Sequence, residues 1–217
     1  MANLEQVSLL KLGGSAWNNW RIQHLAVVPD LSGADLSGIS LQFTNLSCAN
    51  LAQANLEGTD LRNVNLRHAN LTYANLRLAD LIEANLQEAN LQHAYLEGAD
   101  LYRTVLVGAN LTRANLSKAI VRRANLENVN LSKIEGERTD FFQANLMRTN
   151  FYMANLSRVN FEGSNLIEAT LDWANLLDAN LKKSNLCRAS LRKANLCRAN
   201  WHDAFLKNTI MADGSLA

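Results

Sequence analysis

Cysteine, proline and aromatic residues are scarce in this sequence. Its 217 residues include one proline, Pro29, and three cysteines, Cys48, Cys187 and Cys197, while aromatic residues make up 6% of the chain. The cysteines are odd in number and lack the spacing of metal ligands, which argues against a metal site. They fit a reducing compartment, so we expect a cytoplasmic protein.

Targeting signals and long apolar runs are also lacking. The first fifteen residues carry no basic n-region and no continuous apolar h-region, so we expect no signal peptide. No apolar run approaches the roughly 18–20 residues that a membrane-spanning helix needs. We therefore expect no membrane partner.

Charge is nearly balanced over the whole chain but not along it. The formal net charge is +1, which argues against a purely electrostatic partner. Residues 31–100 contain three basic and eight acidic residues, a net charge of −5, whereas residues 101–210 contain sixteen basic and nine acidic residues, a net charge of +7. The second half of the chain is therefore the basic half.

A five-residue periodicity dominates the chain. From Leu31 to Leu206 a large apolar residue, here called the centre, returns at every fifth position through 36 consecutive pentads. All centres are Leu or Phe except Val121, Gly136 and Trp201. Two positions before the centre stands Ala, Ser, Thr, Val or Ile in the 35 later pentads, and the residue just before it is Asn or Asp in 28 of 36. This regularity predicts a repeat fold.

Neither a continuous helix nor a continuous strand accommodates this period. On an α-helix five residues turn by about 140°, so the centres would scatter around every face. On a strand the odd step would send successive centres to opposite faces. A bend in every pentad lets the small residue and the centre face inward, and Asn and Asp favour such bends. The chain must therefore coil around an axis lined by leucine and alanine.

The number of sides comes from a resemblance, because the periodicity alone leaves it open. The pattern A(N/D)LXX, as in ANLQEANLQHAYLEGADL at residues 84–101, resembles that of the pentapeptide-repeat family over about 80% of the chain. The resemblance implies an all-β solenoid, a right-handed quadrilateral β-helix with four pentads in each coil. The pentads then make about nine coils, stacked over roughly 43 Å at about 4.8 Å per coil.

A helical cap or leader is predicted at residues 1–28, where an uncovered coil would expose apolar layers. Residues 3–12 have apolar positions at helical spacing, Gly13 and Gly14 end that helix, and Ser15 caps a second helix. The string LLKLGGSAWNNWR resembles the leader of many cyanobacterial pentapeptide-repeat proteins. The sequence leaves open whether this leader only caps the rod or also recruits a partner.

The β-helix is predicted to span residues 29–210 and to be followed by a tail at residues 211–217. The string NTIMADGSLA resembles the usual ending of the family. We expect this segment to lay Ile210 and Met211 over the last coil.

Residues with catalytic or metal-binding chemistry do not converge in this pattern. The four histidines are scattered, and acidic residues just before the centres occupy the Asn/Asp position, where a structural role is expected. Cys187 and Cys197 are two pentads apart, which places them on opposite sides of the rod. We therefore expect no enzyme, no cofactor and no metal.

The strongest break in the pattern is SKIEGERTD, where Gly136 replaces a core leucine. Loss of this volume predicts a thin spot, a bulge or a small loop. It is either a tolerated irregularity or a recognition bulge flanked by Glu137 and Arg138.

Outward basic residues can be placed because residues 20 apart stack in a four-sided coil. One set, here called the basic belt, surrounds the rod on several faces: Arg103, Arg113, Lys118, Arg122, Arg123, Lys133, Arg138 and Arg158. A nucleic-acid site needs a contiguous basic track with aromatic stacking groups. The spread of the belt does not favour nucleic acid.

Outward apolar residues are concentrated within two coils. This apolar cluster is Phe142, Met147, Tyr152, Met153, Ile167, Trp173 and Leu177. Such concentration is typical of a binding surface, although the cluster covers more than one face. We expect it to bind a protein partner or to support self-association, and a homodimer stays open.

These features favour a non-catalytic scaffold that presents side chains to a protein partner. A regulatory role is one option for such a scaffold. There are two alternatives. One is DNA mimicry that modulates a type II topoisomerase, which the resemblance to the pentapeptide-repeat family implies for some members. The other is nucleic-acid binding through the basic half. Mimicry requires an acidic rod, but Arg77 stands between Glu57 and Glu97 in one ladder and the later coils are basic.

Overall fold

The computed structural model describes residues 2–217 and begins with two short helices. Helix α1 spans Leu4–Lys11 and helix α2 spans Gly14–Gln23. From Asp30 onward the chain coils into a right-handed quadrilateral β-helix on which both helices pack. The predicted fold class and its helical N-terminal cap are confirmed.

Parallel pairing between residues 20 apart sets the register of the coils. It begins with the pair Asp30 and Asn50 and continues to the pair Ser190 and Ile210. Each pairing joins one residue to one residue, so the β-helix consists of single-residue bridges and not of extended strands. Because four pentads make 20 residues, every coil has four sides, and the 36 pentads make nine coils.

Each corner of the coil is turned by the two residues that follow a centre. The second of them has a left-handed backbone, as at Gln53 with φ 60°. A hydrogen bond from the Ala54 amide to the Leu51 carbonyl, 3.0 Å long, closes the turn. The left-handed region costs a non-glycine residue about 1–2 kcal/mol. Hydrogen bonds to the next coil offset this cost, from Gln53 N to Thr72 O at 2.8 Å and from Leu51 N to Asn70 O at 2.7 Å.

The Asn side chain before each centre has two structural roles. Asn70 Oδ1 accepts the amide of Thr72 at 3.2 Å, which stabilises the coming turn. Asn70 Nδ2 donates to Asn50 Oδ1 of the previous coil at 3.1 Å, which ties the two coils together. An aspartate can make the first bond but has no proton to donate in the second, which explains why Asn predominates at this position.

The interior is a solid column of centres and small residues. Nearly every centre is fully buried, and burial of a leucine side chain stabilises the fold by about 1.5–3 kcal/mol. Three phenylalanine centres pack together in the second half of the rod. Phe141 stacks on Phe161 with ring centroids 5.2 Å apart, and Phe151 meets both edge-on. The core therefore leaves no interior channel along this stretch.

The expected thin spot or bulge at Gly136 is wrong, because the coil passes through this position in register. Glu135 pairs with Asn155 like its counterparts, and Gly136 N donates to Asn155 O at 2.8 Å. Ile134, at the small-residue position, fills the missing volume. A Cβ on Gly136 would lie 3.2 Å from Ile134 Cδ1 and 3.1 Å from Leu156 Cδ2. The large and small residues have exchanged places.

The start of α2 differs from the prediction, because Gly14 and not Ser15 begins this helix. Asn3 caps α1, whereas α2 starts after Gly13, whose φ is 111°, and has no side-chain cap. The prediction that Ser15 caps α2 is therefore wrong. Gly14 is needed for close packing, since a Cβ there would lie 2.7 Å from Thr44 Oγ1.

Helix α2 supplies hydrogen-bond partners that the first coil would otherwise lack. Trp17 is fully buried, and its indole Nε1 donates to Asn45 O at 2.7 Å. The Asn18 side chain accepts the Asn45 amide at 2.8 Å. Arg21 is buried and donates to the carbonyls of His24, Val27 and Ser47. Side chains thus replace the backbone groups of a preceding coil, which satisfies the open end of the β-helix.

The C-terminal tail folds back on the last coil. Leu216 pairs with Ile210 in antiparallel fashion, and Ala217 N donates to Thr209 O at 2.9 Å. Ile210 is half-buried, and Met211 is half-buried against the core. Trp201 in the last coil also remains half-buried, so this end of the core is less fully covered than the N-terminal end.

Candidate protein-binding surfaces

The outward side chains lie mainly on four corners of the rod. We number the corners by the turn residues of one coil, and each residue 20 positions away lies on the same corner. Corner I contains residues 152–153, corner II residues 157–158, corner III residues 162–163 and corner IV residues 167–168. Corner I is therefore opposite corner III.

The structure brings three of the seven apolar-cluster residues together on corner I. Tyr152, Met153 and Trp173 lie there with 36%, 46% and 55% of their surface exposed. The Met153 amide donates to Asp172 O at 3.0 Å, so the coils that carry Met153 and Trp173 are directly stacked. The other four are half-buried on other corners, Leu177 on II, Phe142 on III, and Met147 and Ile167 on IV.

The eight residues of the basic belt divide among three corners. Arg113 and Lys133 lie on corner I, Lys118, Arg138 and Arg158 on corner II, and Arg103, Arg122 and Arg123 on corner III. The belt is therefore interrupted around the rod and does not form one track.

Most of the basic belt is neutralised by carboxylates of the same chain. On corner III, Arg103 pairs with Glu83 at 3.4 Å and Arg122 pairs with Asp140. Arg123 donates instead to the Gln143 side chain. Each such exposed pair contributes about 0–1 kcal/mol, so its main effect is to cancel charge.

Corner II carries an alternating network of charges. Lys118 pairs with Glu97 at 3.4 Å. Glu137 lies 3.8 Å from Arg138 and 3.3 Å from Arg158, which also approaches Asp178 at 3.9 Å. All three belt residues on this corner are thus ion-paired, although the sequence alone places them as a basic ladder.

Aspartates beside guanidinium groups are held in the charged state. A hydrogen bond from Arg62 is the largest cause that lowers the pKa of Asp60 to about 2; burial opposes this effect, and a hydrogen bond from Gln42 adds to the lowering. A hydrogen bond from Arg198 likewise lowers the pKa of Asp178. These carboxylates are acceptors in the surface network and not proton donors near neutral pH.

Aromatic stacking on corner I was missed by the sequence analysis. The rings of Tyr73 and His93, 20 residues apart, stack with centroids 4.6 Å apart and planes 5° from parallel. The 20-residue step that located the basic ladders could have found this pair. On the side between corners I and II, the Arg77 guanidinium lies over the Tyr95 ring, 4.7 Å from its centroid.

Other candidate chemistries can be placed within residues 2–217. No three His, Cys, Asp or Glu side chains in that range are grouped to hold a metal ion. Cys187 and Cys197 are free thiols on corners IV and II, which are opposite. Neither helix in the same range is long and apolar enough to cross a membrane.

Several solved structures match this chain. HetL from the cyanobacterium Nostoc sp. strain PCC 7120, described as a pentapeptide repeat protein involved in heterocyst differentiation regulation, is 33% identical, with 87% of this chain and 91% of that chain covered and a TM-score of 0.52. QnrB1, a plasmid-mediated fluoroquinolone resistance protein, is 16% identical over 83% and 87%, with a TM-score of 0.44. Rfr23 from the cyanobacterium Cyanothece 51142 is 21% identical over 89% and 97%, with a TM-score of 0.21.

Comparison with protein families points the same way. Among curated protein sequences, none matches this chain. The family model for pentapeptide repeats matches eight times, and the matches overlap to cover residues 30–213. This extent agrees with the coils of the β-helix. The chain therefore belongs to the pentapeptide repeat family.

Proposed function

We propose that this protein is a non-catalytic scaffold that presents side chains to a protein partner from a rigid rod. The observation that carries the proposal is the division of labour within each pentad. The centre and the small residue build the core, and the residue before the centre ties coils together. The two turn residues are then free to vary, so the rod can display side chains without loss of its fold.

Similarity to HetL favours a regulatory role. That protein is described as involved in heterocyst differentiation regulation, and it resembles this chain over most of both lengths. A rod that contacts a partner can regulate without chemistry of its own. We therefore propose regulation through protein binding, in the cytoplasm, where three free thiols remain reduced.

Corner I is the proposed contact surface within the apolar cluster. Tyr152 and Trp173 are aromatic, exposed and one coil apart, and Tyr and Trp dominate the binding energy of many protein interfaces. The alternative is that a second copy of this chain binds to this corner, so that two rods self-associate. The other four residues of the apolar cluster, which lie half-buried on other corners, also belong to the proposed contact surface, but they expose less of their side chains than the corner I residues.

Charge pairing favours protein binding over the two nucleic-acid-related functions. Five of the eight basic-belt residues are paired with carboxylates within the rod, which reduces their attraction for phosphates. DNA mimicry requires an extended acidic surface, whereas corner II alternates acidic and basic residues, as where Glu97 pairs with Lys118.

An affinity pull-down from nuclease-treated native lysate tests the proposal. The wild type is compared with a Tyr152→Ser, Trp173→Ser variant and with a control that removes two more exposed apolar residues elsewhere, Phe43→Ser and Leu78→Ser. We expect a specific protein to be retained by the wild type and control but lost with the corner I variant. Equal retention by all three would remove the functional claim of corner I.

Size-exclusion chromatography with light scattering on the same variants distinguishes self-association. A dimer of the wild type and control that becomes a monomer in the corner I variant would assign the surface to a second copy of this chain.

A further inference from the structure

Corner I differs from the other three corners because none of its Lys or Arg residues has an ion-pair partner within residues 2–217, whereas each other corner carries at least one ion pair. Four basic residues lie on this corner: Arg113, Lys133, Arg192 and Lys193. All four are exposed, and no carboxylate lies within 4.0 Å of their charged groups. By contrast, all five basic residues on corner II are paired.

The cause is a gap in the acidic residues around corner I. Neither the corner nor its preceding side contains Asp or Glu between residues 50 and 171. Asp172 follows, but it accepts hydrogen bonds from Ser190 and from the Arg192 amide. Glu135, on the following side, accepts from the Asn155 side chain. Neither carboxylate lies within 4.0 Å of a charged group of Arg113, Lys133, Arg192 or Lys193, so neither forms an ion pair on this corner.

Like charges on this corner are stacked. Arg113 and Lys133 are one coil apart, about 4.8 Å along the rod. Like charges placed directly opposite each other between neighbouring strands are destabilising. An external carboxylate that approached this pair would relieve the repulsion, which makes the site attractive to an acidic partner.

Aromatic groups alternate with the cations along the same corner. From Tyr73 to Lys193 the corner rises six coils, about 29 Å. It carries the stacked Tyr73 and His93, then Arg113 and Lys133, then Tyr152 and Trp173, and then Arg192 and Lys193. Tyr, Trp and Arg are the residue types most enriched among the energetic anchors of protein interfaces.

Spacing and shape favour a protein over a nucleic acid as the occupant. The two cation pairs are three coils apart, about 14 Å, with Met153 and Trp173 between them. Phosphates along one strand of B-form DNA recur about every 3.4 Å, so this gap interrupts a phosphate track. The corner is a convex ridge, which fits a concave surface that has acidic groups and apolar patches in alternation.

We infer that corner I recognises a concave, acidic and partly apolar surface of a protein partner through Arg113, Lys133, Arg192 and Lys193 together with Tyr152 and Trp173. This inference rests on the proposed function and specifies the chemistry of its partner. Complementary charge would guide the approach of the partner, and the aromatic groups would hold it.

A fluorescein-labelled copolymer of Glu and Tyr is the probe for a direct test by fluorescence polarisation. The wild type is compared with an Arg113→Glu, Lys133→Glu variant. The matched control is Lys182→Glu, Lys183→Glu on corner III, which changes the net charge equally; these lysines have no ion pair but stand in ladders next to Glu162 and Asp203. Circular dichroism and thermal unfolding verify that each variant is folded.

We expect the corner I variant to bind the copolymer about tenfold more weakly and the control to change by less than about twofold, with wild-type affinity falling as salt rises. Equal weakening in both variants would show that binding depends only on the net charge of the protein and would overturn the inference. No binding by the wild type would overturn it too, whereas the lysate experiment with Tyr152→Ser, Trp173→Ser could still support the proposed function.

A labelled single-stranded oligothymidylate serves as the competing probe. If it binds the wild type more tightly than the copolymer and is lost with Arg113→Glu, Lys133→Glu, corner I is a nucleic-acid site and the acidic-protein inference is wrong. Weak oligonucleotide binding with no dependence on corner I supports the inference.

Discussion

At the level of single residues, the repeat constrains the combined volume of two side chains, the small residue and the centre of one pentad, more closely than the volume of either side chain alone. The usual pentad combines an alanine with a leucine, whereas one pentad combines Ile134 with Gly136, and the backbone pairing does not change. Close packing explains this exchange, because the interior requires a filled volume whichever position supplies it.

Gly136→Leu restores the repeat pattern but should destabilise the protein. The added side chain would meet Ile134 Cδ1 and Leu156 Cδ2, which already occupy the space above and beside the glycine. Overpacking of this kind costs about 1–3 kcal/mol. We expect a lower free energy of unfolding in chemical denaturation monitored by circular dichroism.

Ile134→Ala combined with Gly136→Leu provides the matched control. The double variant returns the pentad to its usual combination, so we expect it to recover most of the stability that either single substitution loses. Stabilisation by Gly136→Leu alone would show that the space is open and would contradict the exchange of volumes.

At the scale of the element, helix α2 acts as a substitute for a coil that precedes the first one. Trp17 fills the end of the core and donates to Asn45 O, while Arg21 donates to three carbonyls. These bonds matter because an open β-helix end leaves backbone groups unpaired and apolar layers exposed.

Trp17→Ala should loosen the cap and the first coil. Removal of a buried tryptophan side chain costs about 3–5 kcal/mol, and the Asn45 carbonyl also loses its indole donor. We expect hydrogen exchange of the first-coil amides to accelerate before that of the middle coils. Ile22→Ala on the same helix is the control, because Ile22 is 70% exposed and its loss should have little effect. Equal acceleration in both variants would argue against a specific role of Trp17.

At the scale of the whole molecule, each coil depends mainly on its two neighbours. The backbone bonds between coils join residues about 20 positions apart from the first coil to the last. A protein of this kind has an approximately additive stability of coils and interfaces, and coils can be removed in whole units.

Deletion of residues 81–100 should leave a folded rod that is one coil shorter. Asp80 would then join Leu101, which keeps the order of Asp and centre and keeps each later residue on its corner. We expect the far-ultraviolet circular dichroism spectrum to persist, with a lower unfolding temperature and a length reduced by about 5 Å in small-angle X-ray scattering.

Deletion of residues 83–100 is the corresponding control. It places Leu101 two positions after Leu81 instead of five, so the centres fall out of register with the interior. We expect a much lower unfolding temperature than for the whole-coil deletion. Similar stability of the two deletions would contradict the requirement for pentad register.

Much of the candidate surface could be placed from the sequence once the coil had four sides. Tyr152, Met153 and Trp173 belong to the apolar cluster and do share a corner. Neutralisation of Arg103, Lys118 and Arg158 could not be predicted, because it depends on side-chain reach between residues 20 or 21 positions apart. For the same reason, the sequence could not show that the cations on corner I have no ion-pair partner.

The five-residue spacing of the centres is enough to predict that the chain coils around a column of centres with a bend in every pentad, because this spacing fits neither a helix nor a strand. It also indicated helices before residue 29. Three features could be seen only in the folded chain: Ile134 compensates for Gly136, Gly13 and not Ser15 precedes α2, and particular cations remain unpaired. These outcomes depend on packing and charge between neighbouring coils and on contact between the cap and the first coil, which local sequence does not encode.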